Sequence, residues 1–204
     1  MVTISYIAIA IIAYLLGNIS TSYIIAKRIS GVDIRTQGSG NAGSTNVLRT
    51  MGKRAGAATF IGDLLKGTIS VLIGQLIANF IGIDRTIAGY VAVIFVVVGH
   101  NWPAFLGFKG GKGVATSLGA MMAINPVIAL SCLGIFIIVV AVTKYVSLGS
   151  VVGIAFSVPF MLLSKNRAGA VVALFLTVSV IYTHRANLKR LIKGEENKVG
   201  SKKE

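Results

Sequence analysis

Four polar segments of the chain combine residue types suited to binding anions. The first, 38–49, reads Gly-Ser-Gly-Asn-Ala-Gly-Ser-Thr-Asn-Val-Leu-Arg. Glycines such as Gly40 let backbone N–H groups point at an anion, Ser39, Asn41, Thr45 and Asn46 add neutral donors, and Arg49 adds a charged fork. The same residues also suit a plain connecting loop in which Asn and Ser make turns and cap a helix. The second, 107–113, reads Gly-Phe-Lys-Gly-Gly-Lys-Gly and leads into a helix, so Gly110, Gly111, Lys112 and Gly113 would stand at an N-terminus fit for phosphate. A basic turn accounts for it equally well. It is not a Walker A loop: Leu106 stands where that motif needs its first glycine, and Gly113 replaces the magnesium-holding Ser/Thr. In the third, His184 and Asn187 lie three apart and share a helix face, although a lone histidine at a boundary also reads as an interfacial residue. The fourth, Lys144-Tyr145-Val146-Ser147, is too short to be informative alone.

These segments must be held by apolar elements. Of 204 residues, 54% are hydrophobic and 13% charged, and the mean hydropathy is +0.82. A soluble domain needs more charge to cover its surface. Stretches 2–26, 86–108, 145–164 and 168–183 contain no Lys, Arg, Asp or Glu, and a span needs about 20 residues. A further span covers 55–83 despite Asp63 and Lys66 within it. Ionisable residues inside a span are functional by default, but three-residue spacing also permits a structural ion pair. His100, ending the third span, reads as a satisfied helix-end residue.

The uncharged stretch 113–143 is broken by Asn125-Pro126. If it crosses once, Arg185, Lys189, Arg190, Lys193, Lys198, Lys202 and Lys203 end outside; if it turns at Asn-Pro, they return to the side of Lys27, Arg28, Arg35, Arg49, Lys53 and Arg54. The positive-inside rule prefers the turn. The expected architecture is therefore all-α and polytopic, with seven transmembrane helices, N-terminus out and C-terminus in. One span, near Val114–Ile124, is short and must thin the bilayer or pack within the bundle. Residues 1–193 form one membrane domain, followed by a polar, frayed cytoplasmic tail, 194–204. The first segment is long and lacks a basic lead-in, so it reads as a retained span rather than a cleaved signal.

The net charge of +14, from 20 Lys+Arg against 6 Asp+Glu, follows from this topology and needs no nucleic acid partner. A single cysteine, Cys132, leaves no intramolecular disulfide and no paired-cysteine metal site. Neither a metal nor another cofactor is expected.

Taken together, 38–49, Gly-His-Asn-Trp-Pro at 99–103 with 107–116 behind it, and His-Arg-Xaa-Asn at 184–187 resemble the bacterial membrane acyl-phosphate:glycerol-3-phosphate acyltransferase family. The resemblance runs from Tyr14 to about Glu196 with the loops in matching order. It implies transfer of a fatty acyl group from acyl phosphate to the sn-1 hydroxyl of glycerol 3-phosphate, releasing phosphate and lysophosphatidic acid. It also implies seven spans, a bacterial inner-membrane location with the site facing the cytoplasm, and a functional link to the enzyme that makes acyl phosphate from acyl carrier protein. Carried over by position, Ser39, Arg49, Lys112 and His184 are the catalytic candidates. Gly40, Asn41, Thr45, Asn46, Gly110, Gly111, Gly113, Ser147 and Asn187 are the substrate contacts. Ala42 and Ser44 match family positions that vary, so neither is a catalytic candidate.

The chemistry fits those residues. Acyl phosphate is an activated anhydride, so catalysis consists mainly of holding two phosphate-bearing molecules together against repulsion. Arg49 suits bidentate phosphate binding and Lys112 a point charge. The proton acceptor is either His184 or an oxygen of the donor phosphate. Direct transfer is expected, because Cys132 lies deep in an apolar run. A transporter for phosphorylated anions would use similar groups but favours inverted repeats and midplane sites; no internal repeat is apparent. An anionic-lipid scaffold would need only the basic tail. The acyltransferase class with a His-x4-Asp pair is excluded, since Phe105 and Lys189 stand where the acid would be.

Overall fold

The computed structural model of the chain describes residues 2–199, and every regular element among them is helical. In order they are α1 (Val2–Asn18), α2 (Thr21–Ser30), α3 (Ser44–Met51), α4 (Lys53–Ile81), α5 (Arg85–Asn101) and α6 (Val114–Ile124). There follow α7 (Pro126–Thr143), α8 (Val146–Ala155), α9 (Ser157–Leu163), α10 (Arg167–Thr183) and α11 (Arg185–Ile192). The two glycine-rich connections each contain a 3-10 turn, Ile34–Thr36 and Ala104–Leu106.

Five stretches are long and apolar enough to cross a membrane: Val2–Ser30, Lys53–Ile81, Arg85–Leu106, Pro126–Thr143 and Val146–Leu163. A sixth would join α10 and α11, which are bent by 63°. α6 has 11 residues and rises only about 16 Å at ~1.5 Å per residue, against ~30 Å of hydrocarbon. The expected break between α6 and α7 is present. The Asn125 side chain accepts the N–H of Ile128 at 3.1 Å, and Pro126 starts α7, where its missing N–H removes no helical bond.

The chain divides into two compact units, with the boundary between Ile124 and Asn125. In the first, α1 packs on α5, and α4 packs on α5 and α6. Small residues let these backbones touch, as lipid-embedded helices require: a Cβ on Gly99 would overlap the carbonyl of Tyr14, and one on Gly67 would overlap that of Thr116. Ile9, Val71, Val93, Val96 and Val97 fill the interior. α1 stops at Asn18, and Ser20 caps α2 by accepting from Tyr23 N–H at 3.4 Å. Asp63 and Lys66 meet as a buried ion pair at 2.9 Å, the structural alternative their spacing allowed.

In the second unit, α7 packs on α8, and α10 on α8 and α9, around Met161, Ala173, Leu176 and Val180. Apolar side chains remain exposed on both units, among them Ile7, Ile11, Leu72, Val142, Leu163 and Val171. A chain whose solvent is lipid presents such faces.

Candidate active site

In the first unit the glycine-rich segments become two loops clasped against each other. Loop 31–43 is seated by a small apolar cluster of Ala26, Ile34, Ala42, Val47 and Ala55. Ala42 is therefore a packing residue. Asn46 organises the rest: only 2% exposed, it donates to the carbonyls of Ile34 (3.2 Å), Gln37 (3.0 Å) and Asn41 (3.1 Å) and accepts the N–H of Ser39 (3.0 Å). Asn46, expected among the substrate contacts, is buried and shapes the loop. Gly38 and Gly40 take φ of +56° and +70°, conformations that glycine adopts without a Cβ penalty. Ser39 and Gly40 are exposed, and Asn41, Gly43, Ser44 and Thr45 are half-buried where α3 begins. Arg49 is exposed on the last turn of α3 and has partners within the protein.

Loop 102–113 is tied to the first. Arg35 grips Asp33 with Nε at 3.0 Å and Nη2 at 2.7 Å, then extends Nη1 to the carbonyl of Leu106 at 2.6 Å. The hydrogen bonds from Arg35 hold the Asp33 carboxyl below its ordinary value. Gly110 and Gly111, expected to offer their N–H groups to an anion, donate them to the carbonyls of Asn101 (3.2 Å) and His100 (3.1 Å). Gly111 also lies so close to the first loop that a Cβ would come within 2.7 Å of the carbonyl of Ala42. Their role is close approach. Half-buried Lys112 follows, and Gly113 turns the chain into α6 with φ +79°. The opening N–H groups of α6, like those of any helix, lack intrahelical acceptors, and Lys112 lies just before them.

The second unit holds the other candidates. His184 is buried at the α10–α11 bend, its Nδ1 2.9 Å from the carbonyl of Val180. A carbonyl can only accept, so Nδ1 carries a hydrogen. Ser147 begins α8 and Asn187 lies on α11. Both donate to the same oxygen of Glu196, at 2.9 and 2.6 Å, while Arg190 Nε bonds the other oxygen at 2.8 Å. Glu196 was missed in the sequence. It lies in the tail expected to fray, yet it is 8% exposed, and nearby Val199 donates its N–H to the carbonyl of Lys144 at 2.8 Å. The other tail residues of that expectation, 200–204, lie outside the described residues.

Fold and site define a helical, multi-span membrane protein with clasped, basic, glycine-rich loops in its first unit and a Ser147–Asn187–Glu196 cluster in its second. The family model for glycerol-3-phosphate acyltransferase matches residues 7–194. A glycerol-3-phosphate acyltransferase of Clostridioides difficile (strain 630) is 73% identical over 200 residues, covering 98% of both chains. That of Alkaliphilus metalliredigens is 46% identical over 194 residues, 95% of this chain and 96% of that one. A crystal structure of PlsY, an integral membrane glycerol 3-phosphate acyltransferase in its glycerol 3-phosphate form, superposes with a TM-score of 0.87 at 38% identity over 96% of each chain. The chain belongs to the glycerol-3-phosphate acyltransferase family. It is an acyltransferase of phospholipid synthesis and an integral membrane protein.

Proposed function

We propose that the chain transfers a fatty acyl group from acyl phosphate to the sn-1 hydroxyl of glycerol 3-phosphate, giving 1-acylglycerol 3-phosphate and inorganic phosphate. The observation that carries this reading is the clasp between the two basic loops, where Arg35 and Gly111 tie 31–43 to 102–113 and so fix Ser39 and Lys112 on one scaffold. Two phosphates need fixed cations and donors to overcome their repulsion. Ser39, Arg49, Lys112 and the start of α6 supply these, and Ser147, His184 and Asn187 serve the glycerol acceptor.

In the proposed step the hydroxyl oxygen attacks the acyl carbonyl carbon. The bond from that carbon to the bridging phosphate oxygen breaks, and phosphate leaves with its electron pair. The hydroxyl proton passes to Nε2 of His184, whose Nδ1 bonds the carbonyl of Val180. Transfer is direct, with no acyl group carried on Ser39 or Ser147. The membrane-bound donor and product, and the soluble acceptor, place the reaction at the cytoplasmic face of the bacterial inner membrane. We assign seven crossings, α6 being the short one, with the N-terminus outside and the tail inside, because this arrangement gathers the Lys and Arg residues on one side.

Protein purified in detergent and given acyl phosphate and glycerol 3-phosphate will release phosphate in step with acyl transfer. Equal turnover with an acyl thioester would overturn the donor assignment, and an acyl group trapped on either serine would overturn direct transfer. A cysteine at position 198 labelled from outside intact cells would invert the topology.

A further inference from the structure

We infer that His100, oriented by the buried Asp63–Lys66 pair, is a positioning residue for the loop that carries Lys112. The inference rests on the reading of that loop as a phosphate-binding element and gives a role to charged residues the reading leaves unused.

Lys66 is accounted for by the break between α1 and α2. Its ammonium bonds the carbonyls of Ile19 at 2.8 Å and Gly17 at 3.2 Å, and Asp63 Oδ1 lies 2.9 Å away. A broken helix at membrane depth leaves carbonyls that lipid cannot satisfy, and a lysine brought there needs a counter-charge. Asp63 does more than supply it. The same Oδ1 accepts from Thr21 Oγ1 at 3.3 Å and lies 3.6 Å from His100 Nδ1.

His100 is 6% exposed on the last turn of α5. The ring edge away from Asp63 lies against Gly111, where a Cβ would overlap Nε2 and come within 2.8 Å of Cε1. The backbone carbonyl of His100 meanwhile accepts the N–H of Gly111 at 3.1 Å. The residue directly before Lys112 is thus held by both the ring and the backbone of His100. Packing alone would be met by any apolar side chain of that size. A carboxylate facing the ring nitrogen sets the ring's orientation instead, as carboxylates do for functional histidines elsewhere. Small displacements of a phosphate-holding cation are costly to turnover.

The test compares His100→Asn, whose amide nitrogen can occupy the Nδ1 position, with His100→Gln, whose amide reaches the Nε2 position. His100→Gln will lower kcat/KM for glycerol 3-phosphate about tenfold or more, and His100→Asn will restore most of that loss. On a Lys112→Ala background the Gln substitution will cost less than about twofold further, because both changes act through one cation. Equal losses with Asn and Gln, or an undiminished Gln effect without Lys112, would overturn the inference. A second measurement needs no turnover. With Cys132→Ser and Lys112→Cys, a water-soluble maleimide will label the cysteine several-fold faster when His100→Gln is added; an unchanged rate overturns the positioning role. If the unaltered protein fails to acylate glycerol 3-phosphate, the functional reading falls, while labelling still decides whether His100 holds the loop.

Discussion

Asn187 donates a 2.6 Å hydrogen bond to Glu196 Oε1, the same oxygen that Ser147 holds at 2.9 Å. One carboxylate thereby fixes two side chains from helices forty residues apart in the chain, and both are assigned to the glycerol acceptor. Removing it takes this acceptor from both side chains and leaves buried Ser147 short of one. Glu196→Ala is expected to lower kcat/KM for glycerol 3-phosphate about tenfold or more, with the loss mainly in KM, and Glu196→Gln to lose less. Steady-state kinetics on the purified variants measure this. A gain in activity would show that the carboxylate blocks the acceptor site instead of ordering it.

The same contacts predict a pH response. Burial alone would raise the Glu196 pKa, but the hydrogen bonds from Asn187, Ser147 and Arg190 outweigh it and hold the group below its ordinary 4.5. A carboxyl depressed in the folded state adds stability that is fully present above its unfolded pKa and lost as pH falls through the folded one. The Tm difference between the parent protein and Glu196→Gln should therefore be constant from about pH 8 to 6 and shrink below about pH 4. Thermal unfolding in detergent at several pH values measures it, and a difference that persists at the acid end would show that Glu196 acts as a neutral hydrogen-bonding group.

Arg49 and Lys112 differ in what replacing them should reveal. On the proposed reading Lys112 acts as a point charge at the start of α6, so Lys112→Ala is expected to lower activity about a hundredfold and Lys112→Arg to retain part of it. Arg49 presents a planar fork, and Arg49→Lys keeps the charge while removing bidentate geometry, so a loss of about tenfold is expected even from this conservative change. Phosphate-release assays at varied acyl phosphate and glycerol 3-phosphate concentration will assign each cation by which KM rises. An Arg49→Lys enzyme with parental constants would exclude the fork.

Much of the architecture was legible because lipid makes it so: charge-free runs mark helices, and Asn125-Pro126 broke one run where an N-cap and a first-turn proline do in fact start α7. The loops were legible as loops, but not the use of their residues. Asn46 looked like a donor to substrate, and only the folded loop shows three carbonyls converging on its amide. Gly110 and Gly111 looked like anion-binding amides because nothing in the sequence says that the end of α5 passes beside them. The partners of Glu196 and His100 were not legible for a common reason. Each matters through partners 49 or 37 positions away, Ser147 for one and Asp63 for the other, and pairings at that separation are set by tertiary packing. The sequence held no signal that singles out Glu196, since Glu195 and Glu204 also lie among the cations of 185–204.

Gly111 gives the sharpest test of the clasp. A Cβ there would overlap His100 Nε2 and approach the carbonyl of Ala42 to 2.7 Å, so relief requires moving a backbone on one side or a buried ring on the other. Overpacking of this kind costs about 1–3 kcal/mol, and the displacement falls directly on Lys112. Gly111→Ala is therefore expected to lower Tm by a few degrees and activity by about a hundredfold. Gly134 is the control: it lies in the middle of α7, and a Cβ there meets nothing within 4 Å. Alanine is the better helix former by ~1 kcal/mol, so Gly134→Ala should raise Tm or leave it unchanged and keep full activity. If Gly111→Ala matches Gly134→Ala in both measurements, the two loops do not depend on close approach at Gly111, and the clasp must be held by the reach of Arg35 to Leu106 alone.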